Sequence, residues 1–230
     1  MIVVSLAERN VKELLASAKA CDGKADIIEA RLDFLQDLNG ISALKDIKLP
    51  LICTCRPAWE FGKFNGSEMD RMRVLNKAVK FCEFIDIELS AFKKDAILSL
   101  AEEEGVVSIV SKHYPDVPGL NALEKDLKEC NGDIAKIVPM AKQPEESVSI
   151  LKLAHKHPGT IAFCSGRGGV ASRFLSLGLG NPFIYTCLDE PAAPGQLRVD
   201  TALKVLKRMK RKTFPPNIKG VLSFEKEFLH

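Results

Sequence analysis

The sequence lacks strong net charge and long apolar runs, and its N-terminal residues do not predict a secretory leader. Its 230 residues carry a net charge of +3, which is too small by itself to indicate binding to nucleic acid or to an anionic membrane surface. No apolar run approaches the roughly 18 to 20 residues that span a bilayer, and the N-terminal MIVVSLAERN has too short an apolar stretch for a signal peptide. We therefore expect a soluble, cytoplasmic protein with neither nucleic-acid nor membrane partners.

Cysteine is present, but not in a pattern that predicts disulfides or a metal site. The seven cysteines are an odd number, and several lie in apolar runs where a thiol behaves as a small hydrophobic residue. Cys53 and Cys55 would project to one face of a strand, yet no second Cys or His pair at ligand spacing accompanies them. We interpret all seven as reduced core residues.

Short apolar, β-branched runs recur at eight places and predict strands. The runs are mostly continuous rather than alternating, which is typical of parallel strands covered on both faces. Segments 10–20, 92–105, 119–132 and 143–159 show the apolar spacing of helices, with Pro or Gly near several of their ends. The strand candidates start at Ile2, Ala25, Pro50, Phe84, Val106, Asp133, Thr160 and Pro182.

This alternation of strands and helices predicts an α/β fold, a (β/α)8 TIM barrel formed as a single domain. No Gly-x-Gly-x-x-Gly follows the first strand, so the dinucleotide-binding doubly wound fold is less favoured. The last helix is expected over ALKVLKRMKRK, residues 202–212, with its charges on a solvated face. The barrel would then occupy residues 1–212, and residues 213–230 form an extension to which the sequence assigns no role.

Charged and polar residues cluster where the predicted strands end. In a barrel, the C-terminal ends of the strands share one rim, and the loops there form the active site. So many polar positions on one rim indicate a functional site. They are Glu29, Arg31, Asp33, Arg56, Glu60, Asp86, Glu88, His113, Lys136, Arg173 and Gln196.

Lys136 is the least expected of these residues, because it lies within the strand DIAKIVP. A lone strand lysine usually forms a structural ion pair, and Asp86 or Glu88 would serve as its partner. A lysine removed from water also carries a free amine that attacks a ketone and forms an iminium. That chemistry needs a base, and His113, one strand away, fits the role. We therefore expect an uncharged Lys136 amine in a closed pocket.

Other rim residues have ordinary and functional interpretations. Glu60 is either a surface carboxylate or a group that orients His113. Arg56 and Arg173 are either structural clamps for carboxylates or receptors for an anionic substrate. SGRGG, residues 165–169, is either an ordinary glycine-rich loop or a phosphate cradle after the seventh strand.

Six segments in order resemble the type I 3-dehydroquinate dehydratase family. The resemblance runs from Ile2 to about Leu206. The segments resemble the family's Glu-x-Arg-x-Asp strand end, its Arg-x-x-x-Glu loop, its catalytic histidine, its Schiff-base strand, its substrate-carboxylate segment and its lid. They are EARLD (29–33), CTCRPAWEFG (53–62), SKHY (111–114), DIAKIVPMA (133–141), GGVASR (168–173) and APGQ (193–196).

The resemblance implies a dehydration of 3-dehydroquinate to 3-dehydroshikimate without a metal or organic cofactor, in a homodimer. Lys136 would form the Schiff base with the ring ketone, and His113 would serve as general acid and base for a syn elimination. Glu60 would hold and tune His113, and Arg173 would bind the substrate carboxylate. The remaining ligands of the substrate would be Ser5, Glu29, Arg31, Arg56 and Gln196.

The chain departs from the family pattern at four positions. Phe163 and Ser165 stand where many bacterial members have methionines, Ala192 replaces a common lid serine, and Arg167 is unusual in its loop. Three alternatives therefore stay open: a class I aldolase acting on a phosphorylated carbonyl substrate, an intact barrel with altered substrate choice, and an inactive barrel whose basic last helix binds nucleic acid.

Overall fold

Eight parallel strands form the centre of the protein, of which this computed structural model describes residues 1–209. All eight strand predictions are confirmed: six strands are shorter than the apolar runs that indicated them, β1 has the predicted bounds, and β5 is shifted by one residue. The strands are β1 Ile2–Leu6, β2 Ile27–Arg31, β3 Leu51–Thr54, β4 Phe84–Glu88, β5 Val107–Tyr114, β6 Ile134–Pro139, β7 Ile161–Ala162 and β8 Ile184–Cys187.

The strands follow one another around a (β/α)8 barrel, as the sequence predicted. The order of hydrogen-bonded neighbours is β7-β6-β5-β4-β3-β2-β1-β8, so the first and last strands of the chain are paired. In the described residues no ladder joins β7 to β8. Aromatic rings pack beside this seam: Tyr185 lies with its ring centroid 5.9 Å from that of Phe163 and 6.4 Å from that of Phe183.

The described part of the chain has seven α-helices, of which six connect successive strands and the seventh follows β8. Their ends follow local sequence: Asn10 accepts a hydrogen bond from the Glu13 amide at the start of α1, and Gly105 ends α3 with a positive φ of 70°. The helices are α1 Val11–Ala20, α2 Glu68–Ala78, α3 Lys94–Glu104, α4 Leu120–Glu129, α5 Val148–Lys156, α6 Val170–Gly178 and α7 Val199–Met209.

The expectation of eight strand-helix units is wrong for the second unit. The chain between β2 and β3 forms 3-10 helices at Leu32–Phe34 and Ile41–Asp46, with no α-helix. The turn-forming sequence 37–40 and Pro50 bound this segment on either side. Ile41 and Leu44 are nevertheless fully buried, so the short helix still covers the sheet.

The core has two layers, on either side of the sheet. Inside the barrel, Val3, Ile27, Ile52 and Ile109 close the end opposite the strand C-termini. Outside, the helices cover the other face of the sheet, and Cys53 and Cys55 lie together in this outer layer. All seven cysteines are free, and six of them are buried. Among residues 1–209, no group of three or more His, Cys, Asp or Glu side chains is arranged to hold a metal ion.

The membrane and C-terminal predictions concern the helices of the chain. Within residues 1–209, no helix is long and apolar enough to cross a membrane. The predicted end of the last helix at residue 212 and the predicted extension 213–230 lie outside the described residues. Within the described part, α7 has Val199 and Ala202 buried against the barrel.

In the outer layer, fully buried helix side chains should contribute more to stability than exposed ones. Leu153 on α5 is fully buried, whereas Leu175 on α6 is 50% exposed. We expect Leu153→Ala to lower the free energy of unfolding by about 2–5 kcal/mol, because it leaves a cavity. Leu175→Ala, the matched control, should cost less than about 1 kcal/mol. Urea unfolding of both variants measures this, and equal losses would contradict the layer assignment.

Candidate active site

A cavity of about 690 Å³, including its open mouth, lies at the C-terminal ends of the strands. Every residue that the sequence singled out as catalytic or substrate-binding contributes to its lining. These nine residues are Ser5, Glu29, Arg31, Arg56, Glu60, His113, Lys136, Arg173 and Gln196. Their convergence on one cavity is what their positions at the strand ends predicted.

Strand alternation explains why these polar side chains meet inside the barrel. Successive residues of a strand point to opposite faces, so residues two apart share a face. Ile27, at the apolar end of the interior, is followed by Glu29 and Arg31; Phe84, on β4, is followed in the same way by Asp86 and Glu88. The inner face therefore changes from apolar to charged toward the rim.

Lys136 lies in a salt bridge rather than in an apolar pocket. Its Nζ is 2.8 Å from Asp86 Oδ2 and 3.9 Å from Glu29 Oε1, and it lies 4.3 Å from the centroid of the Tyr185 ring. This geometry matches the structural ion-pair alternative. The uncharged amine expected from burial stays a prediction.

Arg56 is surrounded by carboxylates. Its two terminal nitrogens lie 2.7 Å from Glu88 Oε1 and 2.7 Å from Asp86 Oδ1, and Glu60 Oε2 is 3.6 Å away. Although burial opposes ionisation of Asp86, the charges of Arg56 and Lys136 hold the pKa of its carboxyl well below the usual range. Most of the binding capacity of Arg56 is thus used within the protein.

His113 and Glu60 form a hydrogen-bonded pair beside these charges. His113 Nδ1 lies 2.9 Å from Glu60 Oε2, and the His113 amide donates to the same oxygen at 3.2 Å. Burial, together with the charges of Arg56 and Lys136, lowers the pKa of His113 well below its ordinary value. Burial raises the pKa of Glu60 to about 8, against the opposing effect of Arg56. The imidazole is therefore neutral at physiological pH and able to accept a proton.

Arg173 differs from Arg56, because no carboxylate pairs with it among the described residues. Its guanidinium stacks on Phe163 at 4.5 Å, and its Nη2 donates to the Pro194 carbonyl at 3.3 Å. Its Nε is buried without a hydrogen-bond partner. Burial without a counter-charge lowers the pKa of Arg173 to about 10. An anion in the cavity would supply the missing partner.

A chain of hydrogen bonds ties the loop after β8 to the neighbouring strands β1 and β2. Gln196 Nε2 donates to Ser5 Oγ at 2.9 Å, and Ser5 Oγ donates to Glu29 Oε2 at 2.5 Å. Gln196 Oε1 also accepts from the Ala192 amide at 2.8 Å, which fixes the turn of the loop. The residue that replaces the lid serine thus contributes through its backbone.

Arg31 also contacts this loop. Its Nε and Nη2 donate to the two carboxylate oxygens of Asp33 at 2.9 and 2.8 Å, and its Nη1 donates to the Ala192 carbonyl at 3.4 Å. Burial works against the charge of Arg31, but Asp33 raises its pKa above the ordinary value. Arg31 is therefore a permanent cation at the edge of the cavity.

The sequence did not single out Tyr185 or Thr54, which also line the cavity. Thr54 donates to Glu29 Oε1 at 2.9 Å, and the Tyr185 hydroxyl is buried without a partner. Both residues have the inward parity of their strands, since Thr54 lies two residues before Arg56 and Tyr185 two residues after Phe183. Strand parity was the signal that would have found them.

The glycine-rich loop has little room for a phosphate. A Cβ on Gly168 would lie 2.5 Å from Gln143 backbone atoms, and one on Gly169 would lie 2.2 Å from the Cys164 carbonyl oxygen. These glycines therefore allow backbone segments to approach closely. Arg167 is exposed and does not line the cavity, whereas Phe163 and Ser165 do. The phosphate cradle of the aldolase alternative has no support in this packing.

Comparison with known proteins gives a consistent result. A model of the family described as type I 3-dehydroquinase matches residues 2–213. The chain is 33% identical over 212 residues to the 3-dehydroquinate dehydratase of Methanothermobacter thermautotrophicus, covering 89% of this chain and 95% of that protein. It is 34% identical over 217 residues to the enzyme of the same name from Methanococcus maripaludis strain S2, covering 90% and 99%.

Solved structures are similar in fold at lower sequence identity. The 3-dehydroquinate dehydratase from Geobacillus kaustophilus HTA426 superposes with a TM-score of 0.84 at 22% identity, covering 92% of this chain and 91% of that one. The type I 3-dehydroquinate dehydratase from Clostridium difficile gives a TM-score of 0.81 at 23% identity, covering 92% of both. These likenesses support the barrel architecture.

The raised pKa of Glu60 predicts a pH-dependent contribution to stability. The folded protein holds the Glu60 proton to about pH 8, against an ordinary pKa of 4.5, so this contribution is complete below about pH 4.5 and is lost as pH rises through 8. Relative to Glu60→Gln, the wild-type free energy of unfolding should therefore fall by more than about 1 kcal/mol between pH 5 and pH 9. Urea unfolding at both pH values measures it; a pH-independent difference would contradict the assignment.

Proposed function

The chain belongs to the type I 3-dehydroquinase family, and from that premise we propose that it dehydrates 3-dehydroquinate to 3-dehydroshikimate through a Schiff base on Lys136. Curated relatives of the same family carry the name 3-dehydroquinate dehydratase, a hydro-lyase activity. The observation that carries the mechanism is the convergence on one cavity of Lys136, the His113–Glu60 pair and the unpaired Arg173.

Formation of the Schiff base begins with proton loss from Lys136. The ammonium is held by Asp86 at 2.8 Å, so Nζ must first transfer a proton to the neutral His113 imidazole before its lone pair attacks the ring ketone. Addition moves a second amine proton to the former ketone oxygen and gives a carbinolamine. The carbinolamine hydroxyl takes the first proton back from His113 and leaves as water, which gives an iminium with a positive charge at the same nitrogen. Asp86, whose pKa stays low, remains ionised and stabilises the ammonium and the iminium alike.

His113 then moves the protons of the elimination. The iminium acidifies the adjacent ring carbon, and the neutral His113 imidazole accepts its proton, giving an enamine. Collapse of the enamine expels the hydroxyl on the next carbon, which leaves as water after taking the proton from His113. One residue serves as base and acid on one face of the ring, which agrees with a syn elimination. Water then hydrolyses the conjugated iminium, releases the product enone and restores Lys136.

Glu60 positions the imidazole for these transfers. Its hydrogen bond to Nδ1 fixes the ring and leaves Nε2 for the substrate. Because burial raises the pKa of Glu60 to about 8 and lowers the pKa of His113, Glu60 holds the proton at neutral pH and the imidazole stays a neutral base. The tuning of His113 therefore depends on burial of both members.

The remaining cavity residues suit a small polyhydroxylated carboxylate. Arg173 would bind the carboxylate, because it is buried and lacks an anionic partner. Ser5, Glu29 and Gln196 already form a connected set of hydroxyl, carboxylate and amide groups that suits ring hydroxyls. In this proposal, Arg31 chiefly fixes the loop, and Arg56 chiefly fixes the carboxylate cluster. The loop 189–196, tied to Ser5 and Arg31, would exclude water when closed.

Three earlier expectations stay predictions. The homodimer, the cytoplasmic location and the division of the chain at residue 212 rest on the resemblance and on composition. The proposed catalytic steps draw every group from a single chain, since all nine lining residues belong to one barrel. The proposal therefore holds for either oligomeric state.

Trapping tests the covalent step. With 3-dehydroquinate and borohydride, the wild type should gain one reduced adduct on the peptide that contains Lys136, seen by intact and peptide mass. Lys136→Ala should form no adduct and lose turnover on the order of a thousandfold or more, because no other amine replaces the nucleophile. Lys152→Ala, an exposed lysine on α5, is the control and should behave as wild type. Undiminished turnover by Lys136→Ala would exclude the mechanism.

Substitution of the histidine separates binding from proton transfer. His113→Gln should still form the borohydride adduct, but its turnover should fall by about 10² to 10⁴, because the general acid and base is lost. His155→Gln, at an exposed position of α5, should retain full turnover. Product absorbance of the conjugated enone reports the rate. Wild-type turnover by His113→Gln would show that another group moves the protons.

A further inference from the structure

We propose that Arg71, on the outer helix α2, is a positioning residue for the reaction: it holds Glu88 as a carboxylate against Arg56 and so maintains the charge pattern beneath Lys136 and His113. The inference rests on the proposed function, since it concerns the same site. Arg71 does not line the cavity, and neither the strand-end pattern nor the motifs pointed to it.

Arg71 is a fully buried arginine whose donors are almost all used. Its Nη1 donates to Glu88 Oε2 at 2.5 Å and to the Cys55 carbonyl at 3.1 Å. Its Nε and Nη2 donate to the two oxygens of Glu68 at 2.9 Å each. The guanidinium therefore bridges a partly exposed carboxylate on its own helix and a fully buried carboxylate inside the barrel.

From Glu88, a chain of ion pairs of alternating charge continues to Lys136. Glu88 Oε1 accepts from Arg56 at 2.7 Å, Arg56 donates to Asp86 at 2.7 Å, and Asp86 accepts from Lys136 at 2.8 Å. Each member is buried, so its charge is weakly screened by water. Arg71 is thus separated from Lys136 by Glu88, Arg56 and Asp86, and it supplies the cation at the outer end.

Glu88 depends on cationic partners to stay ionised. It is fully buried, Asp86 lies on its own strand, and burial raises its pKa, while Arg56 and Arg71 act in the opposite direction. The other charged groups of this region are Glu68 from α2, Glu60 from the loop after β3, His113 from β5 and Lys136 from β6. Without Arg71, one Glu88 oxygen would lose its partner, and the protonated form of Glu88 would become the more stable one.

Protonation of Glu88 would disturb Arg56, and through it the catalytic pair. Arg56 Nη1 would keep its hydrogen bond to Ser111 Oγ at 2.7 Å but lose an anionic partner. The positive charge of Arg56 would then be less neutralised, and it would interact more strongly with Glu60, 3.6 Å away, and with His113. The predicted consequence is a lower rate at acidic pH, with substrate binding by Arg173 unaffected.

The test compares pH profiles of kcat and KM for purified full-length variants. Arg71→Met removes the charge but keeps much of the length, and we expect the acidic limb of kcat to move up by about 1–3 pH units, with KM changed less than about threefold. Arg71→Lys keeps the charge and should restore most of the wild-type profile. Arg73→Met is the matched control, because Arg73 lies on the same helix but is exposed and pairs only with Asp70.

A second variant covers the case in which Arg71→Met does not fold. Glu88→Gln imitates a permanently protonated Glu88, and it should reproduce at pH 8 the low kcat that the proposal assigns to acidic conditions. Wild-type kcat in Glu88→Gln, or an unshifted acidic limb in a folded Arg71→Met, would overturn the role of Arg71. A loss of stability alone, with both profiles unchanged, would also overturn it.

The wild-type assay separates this inference from the proposed function. If the wild type neither converts 3-dehydroquinate nor forms the borohydride adduct on Lys136, the proposed function fails and Arg71 has no such reaction to support. If the wild type does both and the Arg71 and Glu88 variants match it across the pH range, only the positioning role fails.

Discussion

The buried charge cluster around Arg56 is the constraint on which the site depends. Arg56 contacts Asp86 and Glu88 at 2.7 Å, and Lys136 contacts Asp86 at 2.8 Å, all shielded from solvent. Charges removed from water are tolerated only when partners and hydrogen bonds replace the lost solvation. Each side chain therefore has one favourable position, and Lys136 and His113 are held relative to each other by electrostatics as much as by packing.

The two ends of the barrel interior differ in their side chains and in what those side chains do. Toward the N-terminal ends of the strands, the interior is filled by apolar side chains such as Val3 and Ile52, which need no partners. Toward the C-terminal ends, the same strands present charges. Most of these charges satisfy one another, but Arg173 does not, and its stacking on Phe163 keeps it in place without neutralising it. Among the described residues, Arg173 is thus a cavity cation without a carboxylate partner.

Much of the fold could be predicted, because strand signals are local. Continuous apolar runs marked all eight strands, and Asn10 and Gly105 marked helix ends that the structure contains. Helix α2 was not identified: its first turns are rich in charge, and its function as a cover for the sheet is carried by Met72 and Leu75. The 3-10 crossover after β2 was also missed, because covering a sheet requires buried side chains and not a particular helix type.

The sequence by itself determined which residues face the barrel interior, because strand alternation has a period of two and needs no partner to define it. It could not determine which charges pair. These pairings depend on how neighbouring strands and helices pack: Asp86 holds Lys136, and Arg71 reaches Glu88 from an outer helix. Among the described residues, carboxylates surround Arg56 but not Arg173. These pairs join residues 17 to 50 positions apart, and only the tertiary structure brings such residues within hydrogen-bond distance.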